Sequence, residues 1–253
     1  MQQSLPAMLD IWQKTLSWQP SDRQFQLFGQ LYEAILEGNQ KQNLTRITEP
    51  EEFWEKHIWD SLLGIAPFLI ADFSAMALPK KSLTTVSNVI DIGTGAGFPG
   101  LPIAIANPDW SITMVDSTQK KVAFVINTIA QLRLQKAIAI ATRAEVLGRN
   151  QSHREQYDLA LIRAVAQPAV CAEYILPFVR VGGFGVLYRG HWQEDDTIAL
   201  ESALQQLGSE ITAIEQTITP LSASIRNCIY LYKHSATLDR FPRQVGVPNQ
   251  QPL

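Results

Sequence analysis

The 253-residue chain contains few of the residues that build metal sites and disulfide frameworks. Its two cysteines, Cys171 and Cys228, lie far apart in the sequence and form no C-x-x-C pair. Its four histidines are scattered without metal-ligand spacing. The sequence therefore indicates neither a zinc ribbon nor a disulfide scaffold, and we expect a protein without a metal cofactor.

Long apolar runs and strong net charge are also missing. No run approaches the ~20 residues that span a bilayer, and the first residues, MQQSLPAMLDIWQKTL, lack the basic-then-apolar layout of a signal peptide. We therefore expect a cytoplasmic protein that binds no membrane. A net charge of −3 argues against a protein that binds nucleic acid over its whole surface, while a local basic patch remains compatible with it.

The length and an ordinary apolar content are sufficient for one large domain with an appended helical piece. Helical spacing of apolar residues predicts a helix that carries Leu5 to Leu16. A second helix is predicted to start at Ser21, capped with Gln24, and to stop at Gly38. A third is predicted to start at a capping box of Thr48 with Glu51. Residues 1–80 are thus predicted to be a helical extension of a second unit, 81–253, with the segment from Ala71 to Ser87 as a loop or linker.

From Val86 onward, short β-prone runs alternate with stretches of helical length. The runs are SNVIDIG, SITMVD, AIAIAT, YDLALIR, GGFGVLYR, ITAIEQTI and NCIYLYK. Helix-length connections between the first five indicate βαβ units and a parallel sheet. The last two runs are joined by TPLSAS, which is too short for a crossover helix, so we expect an antiparallel pair at the sheet edge. The predicted fold is α/β, a doubly wound and mostly parallel seven-stranded sheet.

A glycine-rich turn, VIDIGTGAGFPGLP, follows the first of these strands. Its Gly93, Gly95 and Gly97 permit positive φ angles and close approach of a ligand to the backbone. In open α/β sheets, ligands bind outside the carboxyl ends of the strands, which is where this turn falls. A short glycine motif alone is a weak signal, so the residues around it must identify the ligand.

Acidic residues near the turn distinguish between two classes of ligand. Dinucleotide sites use G-x-G-x-x-G and place a phosphate at the helix N-terminus. Here the spacing is G-x-G-x-G, and Asp91 stands two residues before the first glycine, where a carboxylate would repel a diphosphate. It suits the ammonium and sulfonium groups of S-adenosylmethionine. Asp116 closes the second strand, where an acid accepts hydrogen bonds from ribose hydroxyls, and Glu145 falls where the adenine edge would lie.

Several stretches give the chain a close resemblance to a known family. They are NLTRIT, KHIWDSL, VIDIGTGAGFPGLPIAIANP, VDSTQKKVAFV, the TRAE of ATRAEVL, YDLALIRAVA and the tail FPRQVGVPNQQPL, in family order over most of the chain. They resemble the small-subunit ribosomal RNA methyltransferase G family, also called glucose-inhibited division protein B. The glycine turn is common to methyltransferases, whereas the NLT segment, the H-x-x-D-S segment and the tail are more specific.

This resemblance implies a class I, Rossmann-like, S-adenosylmethionine-dependent methyltransferase that modifies guanine N7 in 16S ribosomal RNA. The implied cofactor contacts are Gly93, Phe98, Asp116, Ser117, Thr118, Ala144, Glu145 and Arg163. The implied basic positions are Lys120, Arg143 and Arg163. From the N-terminal loop we add Arg46 as a predicted RNA contact, and we expect a monomer that acts on ribosomal RNA or the small ribosomal subunit.

The chemistry of guanine N7 is compatible with the residues present. N7 carries a free lone pair and no proton, so the reaction needs no general base, and catalysis depends on alignment, which supplies about 7–11 kcal/mol in favourable cases. Arg163 ends the apolar strand LALIR and is predicted to be the catalytic residue, pointing into the cleft between cofactor and substrate. The roles of His57, Asp60 and the tail with Arg240 and Arg243 stay open.

Three alternatives remain at the level of the sequence. A small-molecule methyltransferase would share the fold and the cofactor, and the acidic net charge is compatible with it. A nicotinamide-dependent oxidoreductase would share the strand-end acid but not the glycine spacing. A non-catalytic module would bind S-adenosylmethionine or RNA without turnover.

Overall fold

The computed structural model describes residues 4–70, 85–163 and 165–253. Its centre is a sheet in the order β3-β2-β1-β4-β5-β7-β6. The strands are β1 (Asn88–Ile92), β2 (Ser111–Asp116), β3 (Ala137–Ala141), β4 (Tyr157–Arg163), β5 (Val179–Arg189), β6 (Ser209–Ile218) and β7 (Ile225–Lys233). The first five are parallel, and β7 is antiparallel to both β5 and β6. The predicted strands and the antiparallel pair are confirmed.

Helices cover both faces of this sheet. The helices before β1 are α1 (Leu9–Leu16), α2 (Asp22–Asn39), α3 (Pro50–Phe53), a π-helical segment (Trp54–Trp59), α4 (Asp60–Leu63) and α5 (Ala66–Leu69). Those that follow are α6 (Gly100–Ala106), α7 (Gln119–Leu132), α8 (Ala144–Leu147), α9 (Pro168–Ile175), α10 (Glu194–Leu207) and α11 (Val247–Gln250). Cover on both faces is what defines a doubly wound sheet.

The N-terminal helices share a hydrophobic core with one face of the sheet. Trp12 and Ile58 lie in the same buried cluster as Leu101 and Tyr230. A second cluster, on the other face, is built around α9 and α10. Trp12, Phe28, Phe53, Trp54 and Trp59 of the N-terminal helices are therefore part of the core. The predicted boundary between residues 80 and 81, and most of the predicted linker, lie outside the described residues.

Two details of α2 show how local signals and packing combine. Ser21 caps the helix through the predicted box with Gln24. The predicted stop at Gly38 is wrong, because α2 continues to Asn39. A Cβ at Gly38 would lie 2.5 Å from Leu44 Cδ1 and 2.6 Å from Phe124 Cε2. This glycine is therefore explained by close packing against α7.

The predicted capping box of Thr48 with Glu51 is also wrong. Helix α3 has Glu49 as its N-cap and Pro50 at its first position, a residue whose fixed φ suits a first turn. The carbonyl of Thr48 instead accepts a hydrogen bond from the Tyr32 hydroxyl at 2.6 Å. The helix then widens into the π-helical segment, which carries His57.

Candidate active site

The glycine turn is tied to the end of the neighbouring strand. The amides of Gly93 and Thr94 both donate to the carbonyl of Val115, at 2.8 and 3.0 Å. Gly93, Gly95 and Gly97 have φ angles of +74°, +59° and +99°, a region that L side chains rarely adopt. The three glycines are thus required by the backbone path, which presents the turn beside the end of β2.

Asp116 fixes the far side of the same turn. Its Oδ2 accepts from the Gly95 amide at 3.0 Å, and its Oδ1 accepts from the Thr118 amide at 2.7 Å. Each carboxylate oxygen has a second lone pair, so Asp116 keeps acceptor capacity for a ligand hydroxyl. The strand-end acid therefore orders the turn and faces the space in front of it.

Asp91 lies behind the turn. Its side chain is 0% exposed, and its Oδ2 accepts from the Gly100 amide at 2.9 Å at the start of α6. Burial raises the pKa of this carboxyl to about 6, although the Gly100 amide and the nearby Arg163 favour its charged form. Asp91 thus connects the end of β1 to the start of α6.

A cavity of about 510 Å³ opens in front of the turn at the carboxyl ends of β1, β2 and β4. Nine of the predicted site residues line it: Gly93, Gly95, Asp116, Ser117, Thr118, Arg143, Ala144, Glu145 and Arg163. Asp91, Gly97 and Phe98 lie behind this wall. Gly97 packs so closely on Leu101 that an added Cβ would overlap that side chain.

The C-terminal tail forms part of the same wall. Gly246, Asn249 and Gln250 line the cavity, and the Gly246 amide donates to Glu145 Oε1 at 3.0 Å. No pattern in the sequence predicts that these tail residues line the cavity. A glutamate expected to face adenine is thus also the anchor of the tail.

Two arginines hold the tail against the domain. Arg243 forms a forked ion pair with Glu173 in α9, whose side chain is 0% exposed. Arg154 donates to the carbonyls of Phe241 and Thr237. Arg243 and Arg154 therefore pin the tail to the domain, while Arg240 is exposed.

Phe98 and His57 connect the glycine turn to the N-terminal helices. Their rings stack at 4.4 Å, and the guanidinium of Arg163 lies 5.8 Å from the centre of the Phe98 ring. Burial and the charges of Arg163 and Lys56 lower the pKa of His57 to about 3. His57 is therefore a neutral packing residue, with one ring nitrogen 2.8 Å from the Thr45 hydroxyl.

Arg163 lies at the junction of two cavities. It lines the 510 Å³ cavity and also a second one, of about 380 Å³, on the side of the π-helical segment. Its Nη1 donates to Asp60 Oδ2 at 2.9 Å and to the Lys56 carbonyl at 3.0 Å. Asp60 also accepts from Arg226 Nε at 3.0 Å. Arg226 also lines the second cavity, and no local sequence pattern could indicate it, because it is 166 residues from Asp60.

The residues predicted to contact RNA lie in different environments. Arg46 and Lys120 are exposed, the former in the loop after α2 and the latter in the first turn of α7. Arg143 is half-exposed on the cavity rim, with Nη2 3.5 Å from Glu145 Oε1. None of the helices in 4–70, 85–163 and 165–253 combines the length and hydropathy that crossing a membrane requires.

The fold and the site together define a class. The sheet order, the glycine turn and the strand-end acid are those of a class I, Rossmann-like methyltransferase. Among solved structures, the 16S rRNA (adenine(1408)-N(1))-methyltransferase W203A mutant from Catenulisporales acidiphilia matches with a TM-score of 0.51 and 12% identity, over 60% of this chain and 87% of that one. This likeness supports the fold.

Sequence comparison identifies the family. The profile described as "rRNA small subunit methyltransferase G" matches residues 24–225. The ribosomal RNA small subunit methyltransferase G of Trichormus variabilis is 52% identical over 249 residues, 98% of each chain. That of Gloeobacter violaceus is 50% identical over 243 residues, 96% of this chain and 91% of the other. The chain belongs to this family, and the predicted enzyme class, an S-adenosylmethionine-dependent methyltransferase, is confirmed.

The residues of the first cavity fit this cofactor. Its volume lies within the ~300–1,000 Å³ of small-molecule sites. A Cβ at Gly95 would have nothing nearer than the Gly93 carbonyl at 4.0 Å, so the turn leaves room beside its backbone. Among the described lining residues, Asp116 and Glu145 are the carboxylates, and their oxygens can accept from the hydroxyl and amine groups of the cofactor.

Proposed function

We propose that this protein transfers the methyl group of S-adenosylmethionine to N7 of a guanine in 16S ribosomal RNA. The observation that carries the proposal is the position of Arg163 between two adjoining cavities, within a chain that belongs to the methyltransferase G family. One cavity fits the methyl donor, and the other opens toward the N-terminal helices. A base that enters beside Arg163 would meet the donor at the carboxyl ends of β1 and β4.

The residues that line the first cavity are proposed to contact different parts of S-adenosylmethionine. Gly93 and Gly95 let it approach the backbone, and Asp116 accepts from ribose hydroxyls. Ser117, Thr118 and Ala144 complete the surface beside it, with Glu145 at the adenine edge. Asp91, Gly97 and Phe98 act from behind by fixing the path of the turn. When bound, the cofactor supplies an electrophilic methyl group.

Arg163 is the residue proposed to orient the guanine. Its position is rigid because Asp60 and the Lys56 carbonyl hold one nitrogen, and its side chain is only 17% exposed. An arginine can donate to guanine O6, which lies next to N7 on the same edge of the base. N7 has no proton to lose, so methyl transfer needs only the alignment of N7 with the methyl group. The neutral His57 is therefore not needed as a general base.

Basic residues around the first cavity and the N-terminal loop are proposed to contact the RNA backbone. Lys120, Arg143 and Arg46 carry the positive charge, and phosphate contacts of this kind set affinity and its salt dependence. The enzyme is proposed to act as a monomer, in the cytoplasm and without a metal.

The decisive experiment is nucleoside mass spectrometry of ribosomal RNA from cells with and without the gene. We expect one 7-methylguanosine to disappear from the small-subunit RNA and to return with wild-type protein. Arg163→Gln should fail to restore it, whereas Arg180→Gln should succeed. Arg180 is a matched control because it also pairs with a buried aspartate, Asp158, at 2.6 Å, but at the amino-terminal end of β5. An unchanged nucleoside profile would refute the proposal.

Assays with purified protein distinguish the proposed function from a small-molecule methyltransferase and from a non-catalytic module. We expect labelled methyl transfer from S-adenosylmethionine to small-subunit RNA or to the small ribosomal subunit. Transfer to small molecules with no transfer to RNA would favour the small-molecule alternative. Cofactor binding without any turnover would favour a non-catalytic module.

A further inference from the structure

The second cavity, of about 380 Å³, adjoins the first at Arg163. Its wall is formed by the π-helical segment, α4 and the adjoining ends of β5 and β7. The lining residues used here are Lys56, His57, Asp60, Arg163, Arg189 and Arg226. They come from four separate parts of the sequence, and the fold alone brings them together.

Positive charge predominates on this wall. Four of the lining side chains are lysine or arginine, and Asp60 is the one carboxylate among the described lining residues. Lys56 also pairs with Glu52 at 2.5 Å, outside the cavity lining. His57 adds no charge, because its pKa is far below neutrality. The cavity therefore favours an anionic group.

Two arginines of the lining, Arg189 and Arg226, keep N–H donors that their bonds to described residues do not use. Asp60 pairs with two cations, with Oδ2 accepting from Arg163 and Oδ1 accepting from Arg226. Between described residues, Arg226 uses its Nε for Asp60 and its Nη1 for the Ile225 carbonyl. Arg189 uses its Nη1 for the Ala166 carbonyl at 2.6 Å. A guanidinium has five N–H donors, so each keeps donors for a ligand.

We propose that this second cavity binds a backbone phosphate of the RNA next to the target guanine, with Arg226 as its main ligand. The inference rests on the proposed function. Arginine forks match the oxygens of a phosphate. Asp60 holds Arg226 and Arg163 in one rigid unit, and this fixes the position of the phosphate relative to the base. A nucleotide held at both points cannot rotate N7 away from the methyl group.

The test compares Arg226→Gln with Arg226→Lys and with the control Arg180→Gln. We expect Arg226→Gln to weaken RNA binding about tenfold or more, and to reduce the slope of log affinity against log salt by about 0.7, the value for one lost single-strand phosphate contact. Arg226→Lys should recover the salt slope but only part of the affinity, since it keeps the charge and loses the fork. Calorimetric titration should show that Arg226→Gln and Arg226→Lys both bind S-adenosylmethionine with wild-type affinity.

Mononucleotides provide a probe whose first comparison needs only the wild-type protein. Guanosine 5′-monophosphate and 3′-monophosphate are compared with guanosine as inhibitors of wild-type methyl transfer. We expect at least one monophosphate to inhibit about tenfold better than guanosine, and this advantage to disappear in Arg226→Gln. Equal inhibition by all three in the wild type would overturn the proposal.

The two proposals fail in different ways. If wild-type protein yields no 7-methylguanosine, the proposed function fails. If wild-type protein is active while Arg226→Gln matches Arg180→Gln in affinity and salt slope, only the phosphate site fails.

Discussion

Replacement of His57 by phenylalanine should make the protein less sensitive to acid. In the folded state, burial and the charges of Arg163 and Lys56 lower the pKa of His57 to about 3, whereas in the unfolded chain it is close to 6.5. Between pH 6.5 and pH 3, His57 is therefore protonated in the unfolded state and neutral in the folded state. The contribution of His57 to stability is fully present above pH 6.5 and is lost as the pH falls toward 3.

The magnitude follows from these two values. Between pH 7 and pH 5, protonation in the unfolded state alone lowers the free energy of unfolding by about 2 kcal/mol. This figure depends little on the folded-state pKa as long as that pKa stays below about 4. Phenylalanine keeps a ring between Phe53 and Phe98, which pack on His57 at 5.0 and 4.4 Å. The loss of the Thr45 contact affects all pH values alike, so the difference in pH dependence isolates the titration.

Urea unfolding at pH 5, 6 and 7 measures this difference. We expect wild-type protein to lose about 2 kcal/mol more than His57→Phe between pH 7 and pH 5. Asp91→Asn provides a counterpart with the opposite sign. Burial raises the folded-state pKa of Asp91 to about 6, so its protonation stabilises the folded protein as the pH falls through 6. Wild-type protein should then gain about 1 kcal/mol relative to Asp91→Asn over the same interval.

Parallel pH profiles for wild-type protein and His57→Phe would refute the reasoning for His57. They would mean that the imidazole is protonated in the folded state despite its burial and its cationic neighbours. The profile of Asp91→Asn would be judged separately, because its carboxyl titrates on β1 behind the glycine turn.

Three further substitutions test the packing around the site by thermal denaturation. Arg243→Met should destabilise by about 3–5 kcal/mol, because it leaves the buried Glu173 without its cation, and the added change Glu173→Gln should recover part of the loss. Gly93→Ala should reduce stability by about 1–2 kcal/mol because residue 93 has a left-handed φ. It should also weaken cofactor binding in calorimetry, since the new Cβ would lie 2.5 Å from Val165 Cγ2. Wild-type cofactor affinity would count against a cofactor site at the glycine turn. Gly38→Ala should destabilise by about 1–3 kcal/mol through overpacking against α7 without changing cofactor affinity, and an unchanged midpoint would show that the helices separate easily.

The sequence could predict most of the sheet and the face on which ligands bind. The hydrophobic periodicity of strands and helices is a local property of the sequence. The strands, the Ser21 cap and the glycine turn can therefore be predicted without tertiary contacts. Asp116 and Arg163 could be placed at the cavity because each closes a parallel strand, and the carboxyl ends of parallel strands meet at one edge. The predicted helix limits at Gly38 and Thr48 were wrong, since α2 continues to Asn39 and α3 has Glu49 as its N-cap.

What only the tertiary structure decided is which charged groups meet across the chain. Asp60 joins Arg163 and Arg226 from positions more than one hundred residues away, and the tail reaches Glu145 and Glu173 in the same way. Asp91, which the sequence predicts to bind the cofactor, is buried at the end of β1, and its Oδ2 accepts from the Gly100 amide at the start of α6. A one-dimensional pattern specifies that a carboxylate ends or precedes a turn, whereas the packing of the helix against the strand determines the direction in which it points.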